Sequence, residues 1–347
     1  MERIKNKMKL FFKKKTTSWD SPDTITLCVL VLVGLALFLA SSFLPIPQNQ
    51  KLPLFFLALG LFAPYILFAS PFFLTKIQNW SRLWGPVSVL LPLIMLVVYV
   101  FLAPHGESFV DKGFWFFGGY IGLPALFSGI LWKSKGRITF WDFLLMLWIW
   151  YPVEFHLLPR FHYPSGGSIR LPLHFFMALL PAIYLFLVSR DFAFVGYSYH
   201  LQKKDFLWIL GSLAAISLTV IPLGLALDFL KWNPHFQGIA ATFGIFIGIF
   251  FLTALPEEFL FRGLLHQMID HWLGKPRYFI LPLLISSIFF GLCHWNNGHP
   301  QPNWNYVILA TIAGFFYGMT YLKSKSIVAS ALVHASVNTL WALFFHK

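Results

Sequence analysis

The amino-acid sequence predicts an all-α fold: a polytopic membrane bundle of about eleven transmembrane helices, the length of each set by the bilayer, with no soluble domain. Three observations predict it. The chain of 347 residues is 58% hydrophobic and 19% aromatic but only 11% charged, more apolar surface than a soluble domain can hide. Apolar runs of about 20 residues, enough to cross a hydrocarbon core, recur along its length. The cations fall in the gaps between those runs, as membrane topology requires.

Polar boundaries mark the spans in order near 25–44, 52–74, 84–103, 113–132, 138–158, 171–188, 205–227 and 237–256. Three more follow near 278–295, 304–322 and 327–345. Several contain Pro or Gly, which transmembrane helices tolerate. Ahead of the first run, 1–24 forms a basic tail opening "MERIKNKMKLFFKKK". The run after it is long enough to span and lacks a small-x-small cleavage site, so it reads as a retained signal anchor. The lysines of the tail are suited to anionic head groups, making membrane lipids an expected partner.

The loops orient the bundle. With the N-terminus cytoplasmic, inner loops carry Lys76 and Arg82, then Lys133, Lys135 and Arg137, then Arg190, Lys203 and Lys204. The next carry Lys275 with Arg277 and Lys323 with Lys325, while Arg160 and Arg170 share an outer loop. This is the positive-inside pattern. The same distribution removes nucleic acid as a partner, because the net charge of +13 is spread over loops and tail rather than gathered on one face. The compact, short-looped design points to a prokaryotic inner membrane. Cys28 and Cys293 lie inside apolar runs and say nothing of redox compartment.

Polar residues within the spans fall mostly after residue 250, dividing the chain into the tail, a transmembrane scaffold at 25–204 and a chemically active core at 205–347. Three patterns carry the chemistry. In "LPEEFLFRGLLHQ", Glu258 and Arg262 stand four residues apart, acid before base, and can neutralise each other on one helical face. Glu257 points about 100° away and is left to face a polar cavity. In "FGLCH", His294 brings an imidazole from the next span. In "HASVN", His334 and Asn338 share a face, and both can donate hydrogen bonds to an oxyanion. A lone intramembrane His or Asn is often a helix–helix contact. Unpaired acids in hydrocarbon instead mark pathways or active sites.

Depth poses a question. Seventeen residues separate Glu257 from Gly274, and seventeen separate Arg277 from His294, so two antiparallel helices bring them to one height. A span ending at 256 conflicts with that. Either the helix breaks at Pro256 or it runs on past the boundary.

Taken together, EExxxR, FxxxH and HxxxN on successive apolar helices resemble the CPBP intramembrane proteases, which include type II CAAX prenyl endopeptidases and bacteriocin-processing or self-immunity proteins. The resemblance covers roughly 240–345. It implies peptide-bond hydrolysis in the membrane: Glu257 as general base with His294, His334 and Asn338 as oxyanion site, Glu258 and Arg262 as support. The substrate it implies is a peptide or membrane protein, including a lipid-modified one. Two versions of the chemistry are open. Glu257, His294 and His334 could hold zinc with a water in the fourth position. The same groups can serve a metal-free glutamate hydrolase, which the oxyanion-type pair and the absence of HExxH favour. A catalytically silent immunity or assembly protein would keep the same motifs. A proton-coupled transporter would spread polar groups over repeated halves, whereas here they gather at one end.

Further polar residues read more plainly. Glu154 and His156 end the fifth span and suit an interfacial belt or substrate access. His266, Gln267, Asp270 and His271 suit the solvated end of a helix, and "CHWNNGHPQPN" suits a turn or a cap over the cavity.

Overall fold

The computed structural model describes residues 21–43, 46–103, 110–163, 171–236, 238–274, 280–298 and 300–346. Among them are eleven long helical stretches. The first six are α1 (Pro22–Phe43), α2 (Gln48–Leu67), α3 (Pro71–Leu102), α4 (Lys112–Ser134), α5 (Phe140–Glu154) and α6 (Leu173–Ser189). The last five are α7 (Lys203–Ala226), α8 (Ile239–Leu273), α9 (Ile280–Leu292), α10 (Trp304–Ser324) and α11 (Ile327–Phe344). Eight of the eleven are long and apolar enough to cross a membrane, while α6 and α9 are apolar but shorter and α5 ends on Glu154. The only strands among the described residues are two antiparallel pairs of two residues each, β1 (His162–Tyr163) with β2 (Leu171–Pro172) and β3 (Lys231–Trp232) with β4 (Phe345–His346). Most of the basic tail, Arg170 and the Lys275–Arg277 turn lie outside the described residues.

Three boundaries differ from those expected. The run at 52–74 is two elements: α2 stops at Leu67, and Ser70 caps α3 by accepting from Phe73 N at 3.1 Å, with Pro71 at the first helical position. Hence α3 starts thirteen residues before the expected 84. It changes from α to 3₁₀ at Gly85, whose φ of +60° suits glycine, and Pro86 and Pro92 lie in that tighter stretch. The third difference answers the question at Pro256. α8 is one helix of 35 residues that runs straight through it.

Arg190 also departs from its expected place as a loop cation. It is fully buried and grips Asp142 through Nε at 2.6 Å and Nη2 at 3.1 Å. Its other donors reach the Leu131 and Arg137 carbonyls at 2.8 and 2.9 Å. Asp142 meanwhile accepts from Thr139 N and Oγ1, closing the start of α5. One charge pair thus closes the α4–α5 turn onto the end of α6.

One contiguous cluster of buried apolar side chains runs from Leu61 through Phe176 and Phe259 to Ala335, so both halves of the chain share a core. The segment between α6 and α7 fastens them. Gly196 O accepts from Ile327 N at 3.1 Å, Ser198 O from Ser326 Oγ at 3.2 Å, and Val195 O from Tyr321 Oη at 3.2 Å. Large apolar side chains that remain exposed, such as Val31, Leu83, Leu207 and Leu218, stud the outer helix faces, as expected of surfaces in contact with lipid.

Candidate active site

The site is built on α8, and Pro256 shapes it. Proline offers no N–H to the carbonyl four residues back. π-helical turns flank it at Phe250–Ala254, which contains that carbonyl, and at Phe259–His266, separated by one α turn at Leu255–Glu258. π segments insert a residue into the helical register and are frequent at functional sites. Glu257 sits midway along α8, with eighteen residues before it and sixteen after.

The two glutamates have opposite surroundings. Glu258 is fully buried and saturated: its Oε1 accepts from Arg262 Nη1 at 3.1 Å and from His334 Nδ1 at 3.0 Å, and its Oε2 accepts from Ser330 Oγ. Such charge-assisted bonds offset the cost of removing a carboxylate from water. Arg262 spends a second donor on Gly314 O at 2.7 Å and lies 4.6 Å over the Phe290 ring. A side chain at Gly314 would come within 3.0 Å of Arg262 Nη2 and 2.9 Å of Phe290, so the close approach requires glycine.

Glu257 keeps 33% of its side chain exposed, yet its Oε2 is enclosed without a hydrogen-bond partner among the described residues. The nearest cation-capable group is His334 Nε2 at 3.8 Å. His334 is therefore held between the two acids. Its Nδ1–H donates to Glu258, and its Nε2 is turned toward Glu257. Tyr317 stacks on the ring at 4.6 Å and 15°, and Phe290 meets it edge-on at 5.5 Å.

His294 is fixed in the same sense, with Nδ1 donating to Phe290 O at 2.9 Å, and its ring packs on Tyr306 at 4.6 Å. His294, His334, Asn338, Tyr306 and Tyr317 line one cavity with Trp341 and apolar residues of α7 such as Ile216 and Val220. The structure thus brings His294, His334 and Asn338 to one cavity, and it places Glu257 beside His334 rather than on the cavity wall. Among the described residues no three His, Cys, Asp or Glu side chains are grouped as metal ligands. The zinc alternative of Glu257, His294 and His334 is not among such groups.

Ser330, Tyr317 and Gly314 join the site without having been singled out. Ser330 carried a signal, standing four residues before His334 as Asn338 stands four after. Glu154 comes from the other half: at the end of α5 it lies half-buried within electrostatic range of Glu257. Of the expected solvated helix end, His266 and Gln267 are buried against the bundle, and exposure begins only at Asp270. The loop after His294 follows turn chemistry, with Asn303 capping α10 by accepting from Tyr306 N at 3.1 Å.

Residues 239–340, from the start of α8 into α11, match the family model described as Type II CAAX prenyl endopeptidase Rce1-like. Neither the curated proteins nor the solved structures contain a match to the chain.

Proposed function

With an Rce1-like type II CAAX prenyl endopeptidase domain at residues 239–340, we propose that the protein is an intramembrane endopeptidase that hydrolyses a peptide bond with a glutamate-activated water. The observation that carries the reading is the contrast on α8: Glu258 is saturated by three donors, while Glu257 presents an enclosed, unpartnered oxygen toward an oriented imidazole.

In this reading Glu257 takes the proton of the attacking water, and the His294 imidazole, held through Nδ1 by the Phe290 carbonyl, helps to position that water. The oxygen attacks the scissile carbonyl, whose electrons move onto the carbonyl oxygen. Asn338 Nδ2 donates to that oxyanion at once. His334, whose Nε2 faces Glu257 at 3.8 Å, is the second donor in this reading. Collapse of the tetrahedral intermediate breaks the C–N bond, and the proton taken from water leaves on the amine. Arg262 and Glu258 act through His334, fixing its tautomer and position.

The cavity lining favours a substrate with an apolar portion, since most of its wall is aliphatic or aromatic. A membrane peptide or a lipid-modified C-terminus meets that demand. The test is cleavage by the purified full chain of prenylated and unmodified membrane peptides, beside Glu257→Gln, with and without chelator. Loss of cleavage in Glu257→Gln is the expected result, and cleavage that survives it overturns the mechanism. Activity lost to chelator and restored by zinc would replace the metal-free version. A binding-only role predicts capture of the peptides without products.

A further inference from the structure

The polar stripe of α8 continues past the glutamates. Glu258, Arg262, His266 and Asp270 recur every four residues; the first three are buried and the last is exposed. Two members of the stripe are incompletely satisfied. Arg262 Nε and both ring nitrogens of His266 are enclosed and have no hydrogen-bond partner among the described residues. His266 is only 1% exposed, with its ring edge-on to Tyr321 at 5.9 Å and within electrostatic range of Arg262.

Enclosed donors and acceptors are seldom left unmade, because each costs about 1–3 kcal/mol. The two groups here are complementary to a single kind of ligand. Arg262 Nε only donates, while a neutral imidazole donates from one nitrogen and accepts at the other. Satisfying all three atoms therefore takes acceptors for Arg262 Nε–H and the imidazole N–H and a donor for the other imidazole nitrogen. A halide serves the first two and not the third, and an ammonium ion serves only the third. Water both accepts and donates at the smallest size, and bridging waters are the usual partners of such groups.

We propose that α8 carries a water-binding site between Arg262 Nε and His266, one link of a hydrated file leading from the surface at Asp270 toward the glutamates. The enclosed Oε2 of Glu257 lies at the inner end of the same helix segment. Peptide hydrolysis consumes one water per bond, and apolar helices surround the site. A polar file along α8 supplies that water from the side away from the apolar cavity, so substrate and water need not share an entrance. The purpose rests on the hydrolase reading; the water site does not.

Radiolytic hydroxyl-radical labelling of the full chain in nanodiscs tests the site without reference to activity, because bound water labels side chains beside it. Tyr321 and Tyr65 are both 1% exposed, and only Tyr321 touches His266. Tyr321 is expected to label several-fold faster than Tyr65. His266→Phe, which keeps a ring and removes both nitrogens, should bring Tyr321 down to the Tyr65 rate, and His266→Gln should preserve the difference. Equal rates in the unaltered chain mean dry packing and overturn the proposal, even if a variant fails to fold. A rate at Tyr321 that folded His266→Phe leaves unchanged overturns it equally. In a cleavage assay, slowing by His266→Phe with KM unchanged and rescue by Gln connects the water to hydrolysis; full activity in His266→Phe leaves the file without that purpose and overturns the supply route.

Discussion

Adjacent residues of the same type have taken opposite parts at Glu257 and Glu258, and the difference lies in their donors. Glu258 holds three, so its charge is structural. Removing Arg262 alone strands that buried charge, and Arg262→Met is expected to cost about 3–5 kcal/mol. The double variant Glu258→Gln/Arg262→Met should recover part of the loss, which unfolding of both in detergent would measure. Equal losses in single and double variants would show that the guanidinium matters for packing on Phe290 rather than for charge. In the proposed mechanism Asn338 donates to the oxyanion, so Asn338→Ala should lower kcat by about 10²–10³-fold with little change in KM. A change confined to KM would move Asn338 from the reaction to substrate binding. The pairing of Glu258 with Arg262 was legible from four-residue spacing and charge alone. The direction of His334 was not, because spacing puts it on a face without saying which acid receives Nδ1.

Helices place these residues, and their close approaches depend on small side chains. A Cβ at Gly291 would overlap Thr311 Oγ1 and stand 2.6 Å from the Val307 carbonyl, which as backbone cannot turn aside. Gly291→Ala should therefore push α9 from α10, costing about 1–3 kcal/mol by overpacking. Because His294 is three residues on, the same variant should reduce cleavage well beyond its effect on folding. Measuring both in one preparation separates the two; wild-type cleavage would show that α9 absorbs the methyl without moving His294. The apolar runs were legible because a bilayer demands about twenty such residues. The course of α8 was not, since Pro256 breaks many helices and only its π turns show how this one continues. The Ser70-Pro71 start of α3 was legible in principle, as a cap followed by proline. Its polar signal lies inside an apolar run, and hydropathy alone passes over it.

At the scale of the molecule, the half without a recognised family segment is fastened to the half that has one. Tyr197 Oη donates to Tyr65 O at 2.6 Å, and Tyr65 Oη donates to Phe251 O at 3.2 Å on α8. Gly196 and Ser198 receive the start of α11, the helix that carries His334 and Asn338. The scaffold also sends Glu154 to the neighbourhood of Glu257. Composition could divide the chain near residue 204, but hydrogen bonds between distant backbone groups leave no trace in composition. They imply that 205–347 alone lacks partners for both helices bearing the site. Produced by itself, that segment is expected to enter membranes without cleaving peptide, while co-production with 1–204 should restore cleavage. The measure is peptide cleavage per mole of 205–347, with and without its companion. Full activity of 205–347 alone would mean that α8 and α11 hold their geometry unaided. Restoration by 1–204 carrying Glu154→Gln would then show whether the scaffold contributes position alone or a carboxylate as well. The contacts through Tyr65, Gly196 and Ser198 argue for position, so that variant is expected to restore most of the activity.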